Sequence, residues 1–141
     1  MKILFATDGS PAALAALESL VGHERWFAAR PELTLAHVHP AIPYGMATGW
    51  VGRKTVNDFY AEESAKALQP AREALDRAGV AYTVEARVGD PAKEIVSLAR
   101  EGKFDAVALG THGHTALASL MLGSVAQKVL TLSPVPVLVF K

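Results

Sequence analysis

The sequence predicts an α/β fold: a single-domain, doubly wound five-stranded parallel sheet with helices on both faces, occupying residues 1–141. Two observations carry that expectation. Five short apolar runs alternate with four stretches of helical spacing, the pattern of successive βαβ units, in which parallel strands need a crossover helix between them. The two most apolar runs, Lys2 to Thr7 and Phe104 to Leu109, each open into glycines just before a helix start. In doubly wound sheets ligands bind beyond the carboxyl ends of such strands, where the strand order reverses. If these two strands are neighbours, their turns face one crevice.

The elements follow in order. Lys2 to Thr7 is a short strand ending in Asp8-Gly9-Ser10-Pro11, where Ser10 is the expected N-cap and Pro11 the first helical residue. Leu14, Leu17 and Val21 then give the buried stripe of the first helix. Leu33 to His39 is the second strand, reached by a right-handed crossover. From Pro40 to Lys54 the chain is rich in Gly and Pro and carries Tyr44, Met46 and Trp50. A loop of this length acts as a lid or as a flap over the protein's own core, and its Met46 and Trp50 are also candidates for a partner patch. Thr55 to Asp58 resembles a helix start, with Gly79 as the stop and Pro70 expected to kink or break the helix.

Tyr82, Val84, Ala86 and Val88 alternate with polar residues, so the third strand has one wet face or lies at an edge. Asp90-Pro91 starts a helix through Ile95, Val96 and Leu98 that ends at Gly102. Phe104 to Leu109 is apolar on both faces and belongs in the middle of the sheet. Leu117, Leu120, Met121, Val125 and Val129 keep helical spacing, interrupted at Gly123. The last strand, Pro136 to Phe140, is apolar on both faces although it ends the chain. At an edge such a strand invites pairing with another chain, which predicts a homodimer through Val135 to Phe140.

Composition narrows the partners. Lysine plus arginine and aspartate plus glutamate stand at 14 each, so no overall field draws the chain to nucleic acid or to an acidic membrane, and neither is expected as a partner. The absence of cysteine excludes disulfides, thiolate metal sites and a cysteine nucleophile. The apolar run Ile3 to Ala6 is too short for a signal peptide or a membrane span, which suits a cytoplasmic protein.

The stretch Gly110-Thr111-His112-Gly113-His114, followed by Gly123-Ser124, carries the chemistry. Glycines let the backbone turn tightly and approach a ligand, and the unpaired N–H groups of the next helix attract negative charge. Ser124 at that helix start offers a hydroxyl and an amide to an oxyanion, so the stretch reads as the phosphate end of a nucleotide site. Asp8 is a candidate for ribose, for the adenine amino group or for a phosphate-bound divalent cation, a reading favoured over that of a carboxylate complementing a helix dipole. His37, His39, His112 and His114 suggest a metal cluster, but with no carboxylate or thiolate at ligand spacing nearby no transition-metal site is expected.

With these residues in view the chain resembles the universal stress protein family over nearly its whole length. The resemblance rests on Ala6-Thr7-Asp8-Gly9-Ser10, on Ala36-His37-Val38, on Gly89-Asp90-Pro91-Ala92 to Ile95 and on Pro134 to Val139. Its most specific part is Gly110, two residues, Gly113, nine residues, Gly123-Ser124, which is similar to the family's ATP-binding signature. The resemblance implies the strand order 3-2-1-4-5, a dimer through the last strand and a site for ATP or for AMP or ADP, with Mg or Mn accompanying the phosphates. It implies that Thr7, Asp8, Gly9, Ser10 and the backbone of Val38 lie at the adenosine end. Gly110, His112, Gly113, His114, Gly123, Ser124 and Val125 would then surround ribose and phosphates. Family members that bind ATP often carry Lys or Arg just after the second glycine and again a few residues on, whereas this chain has His114, Ala118 and Ser119. A neutral imidazole supplies a donor with little charge near pH 7, which favours AMP, ADP or pH-dependent binding, with Arg53 or Lys54 available to compensate.

Catalytic readings have less behind them. Gly-x-Ser-x-Gly, a Walker A ending and G-x-G-x-x-G are all absent. Phosphoryl transfer needs a clamp of cations and a positioned base, and the sequence offers few candidates for either. The expected function is therefore nucleotide binding in a stress-response regulatory or sensor role without efficient turnover. Its rivals are a slow hydrolase using a metal-bound water near Asp8, and an interaction module that binds no nucleotide.

Overall fold

The structure is a computed structural model that describes residues 1–43, 52–111 and 122–141. Five strands form one sheet: β1 (Lys2–Ala6), β2 (Glu32–His39), β3 (Tyr82–Val88), β4 (Ala106–Gly110) and β5 (Val137–Phe140). All pairs are parallel and the order is β3-β2-β1-β4-β5. The helices are α1 (Pro11–Gly22), α2 (Arg53–Ala78), α3 (Pro91–Glu101) and α4 (Ser124–Leu132). A 3-10 turn at Glu24–Trp26, not among the expected elements, stacks Trp26 on Phe140 of the edge strand with ring centroids 6.2 Å apart.

Alternation along the strands splits the core into two layers. Ile3, Phe5, Leu33 and Leu35 face Leu17 and Leu20 of α1 and Leu68 and Leu75 of α2. Leu4, Ala36, Val38, Val107 and Leu109 face Ile95 and Leu98 of α3 and Ala126 and Val129 of α4. The chain therefore winds to one side of β1 through α1 and α2 and returns on the other through α3 and α4. This makes the gap between β1 and β4 the point where the winding reverses.

Most expected elements form close to their expected bounds, and the exceptions have physical reasons. The stripe of α1 is carried by Ala13, Ala16, Leu17 and Leu20, with Leu14 and Val21 only partly covered. Helix α2 begins at Arg53, so Arg53 and Lys54 belong to its first turn rather than to the preceding loop. Pro70 does not break it. Ser64 and Leu68 before the proline and Ala71 and Leu75 after it are all buried, so packing on both sides holds the helix through the missing rung. β4 starts at Ala106 because Phe104 closes α3: its N–H donates to the Ala99 carbonyl. Gly102 ends that helix where a Cβ would lie 2.3 Å from the Phe104 ring.

β3 is an edge strand; Tyr82, Val84 and Arg87 are partly covered and Thr83, Glu85, Ala86 and Val88 exposed, so the expected alternation holds only as far as Glu85. β5 is the other edge, and its Val137, Leu138 and Val139 remain partly exposed there. Among the described residues no helix is long and apolar enough to cross a membrane. The expected lid with Tyr44, Met46 and Trp50, and the helical spacing of Leu117, Leu120 and Met121, lie outside the described residues.

Candidate functional site

A cleft of about 720 Å³ opens at the carboxyl ends of β1, β2 and β4. Thr7, Asp8, Gly9, Val38, Gly110, Gly123, Ser124 and Val125, all expected from the sequence, line it together. Ser10 does not line it. It is 2% exposed, and its hydroxyl accepts the Ala13 N–H at 3.1 Å as the cap of α1, so it shapes the turn from behind. His112, Gly113 and His114 lie outside the described residues.

The turn after β1 satisfies its own backbone. Thr7 Oγ1 accepts the Gly9 N–H at 3.1 Å, and Asp8 Oδ1 accepts the Ser10 N–H at 2.9 Å. Gly9 has φ +78°, and a Cβ there would lie 2.8 Å from Ala67 Cα and O of α2. Only glycine meets both demands, the left-handed backbone and the close approach of a second helix. That approach brings Glu63, Lys66 and Ala67 of α2 to the cleft as one wall.

At the end of β2 the backbone turns toward the crevice. Ala36 O accepts the Thr7 N–H, and so faces β1, whereas His39 O accepts the Gly89 N–H on the β3 side. In a parallel strand, residues two apart point the same way, so Val38 directs its N–H and C=O to the side where β1 has already ended. The side chains there are tied down as well. His37, 7% exposed, sits with Nδ1 3.0 Å from the Thr7 carbonyl. His39 Nδ1 donates to the Pro40 carbonyl at 2.7 Å, and its ring packs edge-on to Tyr60 at 5.1 Å.

The turn after β4 is arranged otherwise. The Thr111 N–H donates to Phe140 O at 2.9 Å, and the Gly123 N–H to Thr111 O at 2.7 Å, so that Gly123 is held against the end of β4. Gly123 is the N-cap of α4 and Ser124 its first residue, with no side-chain hydrogen bond capping the helix. The helix starts that line the cleft thus differ. α1 is capped by Ser10, and α3 by Asp90, whose Oδ1 accepts the Lys93 N–H at 3.1 Å. That bond, foremost, holds the Asp90 carboxyl below its ordinary range. At α4, among the described residues, no side chain takes the first N–H groups, and the positive end of the helix dipole lies at the cleft.

Charge at the rim is modest. Lys66 lines the cleft but lies 3.0 Å from Glu62 and 3.2 Å from Glu63, and its hydrogen bonds to these two carboxylates raise its pKa. Lys54 pairs with Asp58 at 3.5 Å, and neither it nor Arg53 lines the cleft. Among the described residues there is no group of three or more His, Asp or Glu side chains that could hold a metal ion.

His37 and the α2 wall were not among the expected binding residues. His37 had a signal, its place with His39 at the end of an apolar strand, but that pattern points to a metal cluster or to imidazoles satisfied by local hydrogen bonds and not to a nucleotide. Ala67 and Lys66 had none, because which face of a long helix meets a distant turn depends on packing rather than on local pattern.

Together these features define a doubly wound α/β protein with a ligand crevice at the switch point of its sheet. The chain belongs to the universal stress protein family, whose model matches residues 1–141. It is 33% identical over 148 residues to the universal stress protein YxiE of Bacillus subtilis, covering 99% of this chain and 98% of that one. It is 32% identical over 141 residues to MJ0531 of Methanocaldococcus jannaschii, covering 99% of this chain and 81% of that one. Among solved structures, that of MJ0577 from the same archaeon superposes with a TM-score of 0.79 at 29% identity, covering 99% of this chain and 94% of that one.

Proposed function

We propose that the cleft binds an adenine nucleotide, with the phosphates against the start of α4 at Gly123 and Ser124 and the adenosine toward Asp8 and Val38. The observation that carries this is the contrast among the helix starts at the cleft: Ser10 takes the Ala13 N–H of α1 and Asp90 the Lys93 N–H of α3, and α4 has no side-chain cap among the described residues. An oxyanion gains both the N–H groups and the dipole there. Asp8 repels phosphate at the first turn, which orients the ligand with its neutral end toward β1 and β2. Val38 turns a donor and an acceptor to the same side, the pair that an adenine edge complements. Proteins of this fold 24%, 22% and 18% identical to the chain were solved with cAMP, dAMP and AMP respectively, which supports the size and shape of the ligand.

In this reading the nucleotide is a regulatory ligand in a stress response and is not efficiently turned over. Asp8 already accepts the Ser10 N–H, and the cleft offers one lysine held by two glutamates, a poor clamp for a phosphoryl transition state. A Mg or Mn ion would arrive on the phosphates. The same reading includes a cytoplasmic homodimer joined along β5, where partly exposed Val137 to Val139 and the 62% exposed Trp26 beside Phe140 form an apolar edge.

Calorimetry with AMP, ADP and ATP, with and without Mg²⁺, tests the central part. Saturable binding that weakens in Ser124→Asp supports it, and no binding at millimolar ligand refutes it. Phosphate release from ATP with Mg²⁺ or Mn²⁺ that is lost in Asp8→Ala would refute the absence of turnover.

A further inference from the structure

His37 is more than nine-tenths buried, yet it is one of the residues that line the cleft. Its Nδ1 lies 3.0 Å from the Thr7 carbonyl. A carbonyl oxygen can only accept, so Nδ1 carries the proton, and in the neutral ring Nε2 is then a hydrogen-bond acceptor. Among the described residues nothing else bonds to this imidazole, whose nearest ring neighbour is His39 at 6.5 Å between centroids. With Nδ1 spent on the Thr7 carbonyl, Nε2 is the ring nitrogen left for a ligand. His37 directly precedes Val38, whose backbone N–H and C=O turn to the crevice.

We propose that His37 reads the base of the bound nucleotide: Nε2 accepts a hydrogen bond from the exocyclic amino group of an amino-purine, so the site favours adenine over hypoxanthine. This rests on the nucleotide reading above and deepens it. Hypoxanthine carries a carbonyl oxygen where adenine carries the amine, so two acceptors would face each other in a buried place. A site built around a buried acceptor discriminates against a ligand that leaves it unpaired far more sharply than an apolar pocket discriminates by size. The Thr7 carbonyl is the positioning group, because it fixes which ring nitrogen holds the proton.

The test is calorimetric titration of the full chain with AMP, dAMP and IMP, for the wild type, His37→Gln and His37→Phe, each checked for folding by its thermal melt. The wild type should bind AMP roughly tenfold or more tighter than IMP. His37→Phe should narrow that ratio at least about threefold by weakening AMP alone, the remaining preference being what the Val38 backbone pair contributes. The amide of His37→Gln can present either its carbonyl or its NH₂, so this variant should keep AMP affinity and gain IMP affinity, a change that a merely structural role would not produce. It also decides the matter should the phenylalanine variant fail to fold. An AMP to IMP ratio unchanged in the folded variants overturns the proposal. So does a variant that instead loses discrimination between AMP and dAMP, which would put the ring against ribose. Absence of AMP binding in the wild type defeats the nucleotide reading itself, whereas AMP binding with an unaltered ratio defeats only the role of His37.

Discussion

The turns after β1 and β4 start from the same ingredients, an apolar central strand running into glycine and a helix, and end in opposite states. After β1, Thr7, Asp8 and Ser10 side chains accept the N–H groups of Gly9, Ser10 and Ala13, and Ala67 of α2 seals Gly9 from behind. After β4, Gly123 caps α4 with no side-chain oxygen at all. The first turn spends its polar groups on its own backbone and is rigid scaffold. The last has no side chain on its helix start among the described residues, and it is where the proposed phosphate would sit. N–H groups left unsatisfied at a helix start need a partner from somewhere, and of the three helix starts that line the cleft, those of α1, α3 and α4, only that of α4 lacks a side-chain cap among the described residues.

Substituting glycine in each turn separates the two most strongly. Gly9→Ala places a side chain at positive φ and within 2.8 Å of the Ala67 backbone. Strain and overpacking together should lower stability by about 2–5 kcal/mol, read from the urea midpoint. Gly123→Ala, at φ −60°, should lower it by less than about 1 kcal/mol. Equal losses would mean that the two turns are equally sealed. Next in size is Ser10→Ala, which removes the cap of α1 and should cost about 1 kcal/mol by the same measurement. Because Ser10 lies behind the cleft wall, AMP affinity in calorimetry should move by less than about threefold.

The smallest expected effect comes from acid and concerns neither turn directly. Arg87 bonds Glu101 at 2.5 Å and, with Ser97, holds its carboxyl down to about 2. A carboxylate with a lowered folded pKa contributes stability that is complete above its unfolded value. This contribution is lost as pH falls from about 4.5 toward 2. Wild type should therefore lose more of its denaturation midpoint over that range than Glu101→Gln does. Parallel curves for the two would show that the pair contributes nothing to the pH dependence.

The same two turns show what can be read from a sequence and what cannot. β1 and β4 were legible because a strand covered on both faces leaves a continuous apolar run, and the caps of α1 and α3 because Ser10-Pro11 and Asp90-Pro91 are local signals. Gly9 could be seen as a turn residue, but its second constraint, the approach of Ala67, comes from a helix more than fifty residues away and has no local trace. The strand order came with the family motif and not from any periodicity, since pairing between strands is non-local. The continuity of α2 through Pro70 and the closure of α3 by Phe104 were hidden for that reason too: in each, tertiary packing overrides a residue preference.

The most direct test makes the last turn a copy of the first. Gly123→Asp supplies α4 with the side-chain cap and negative charge that α1 already has. It should raise the urea midpoint by about 0.3–1 kcal/mol of stability. In calorimetry the same variant should weaken AMP binding roughly tenfold or more, because the carboxylate takes the N–H groups and repels the phosphate. Stability and affinity moving in opposite directions is the predicted result. A Gly123→Asp variant that binds AMP as tightly as the wild type would show that the start of α4 is not where the phosphate sits.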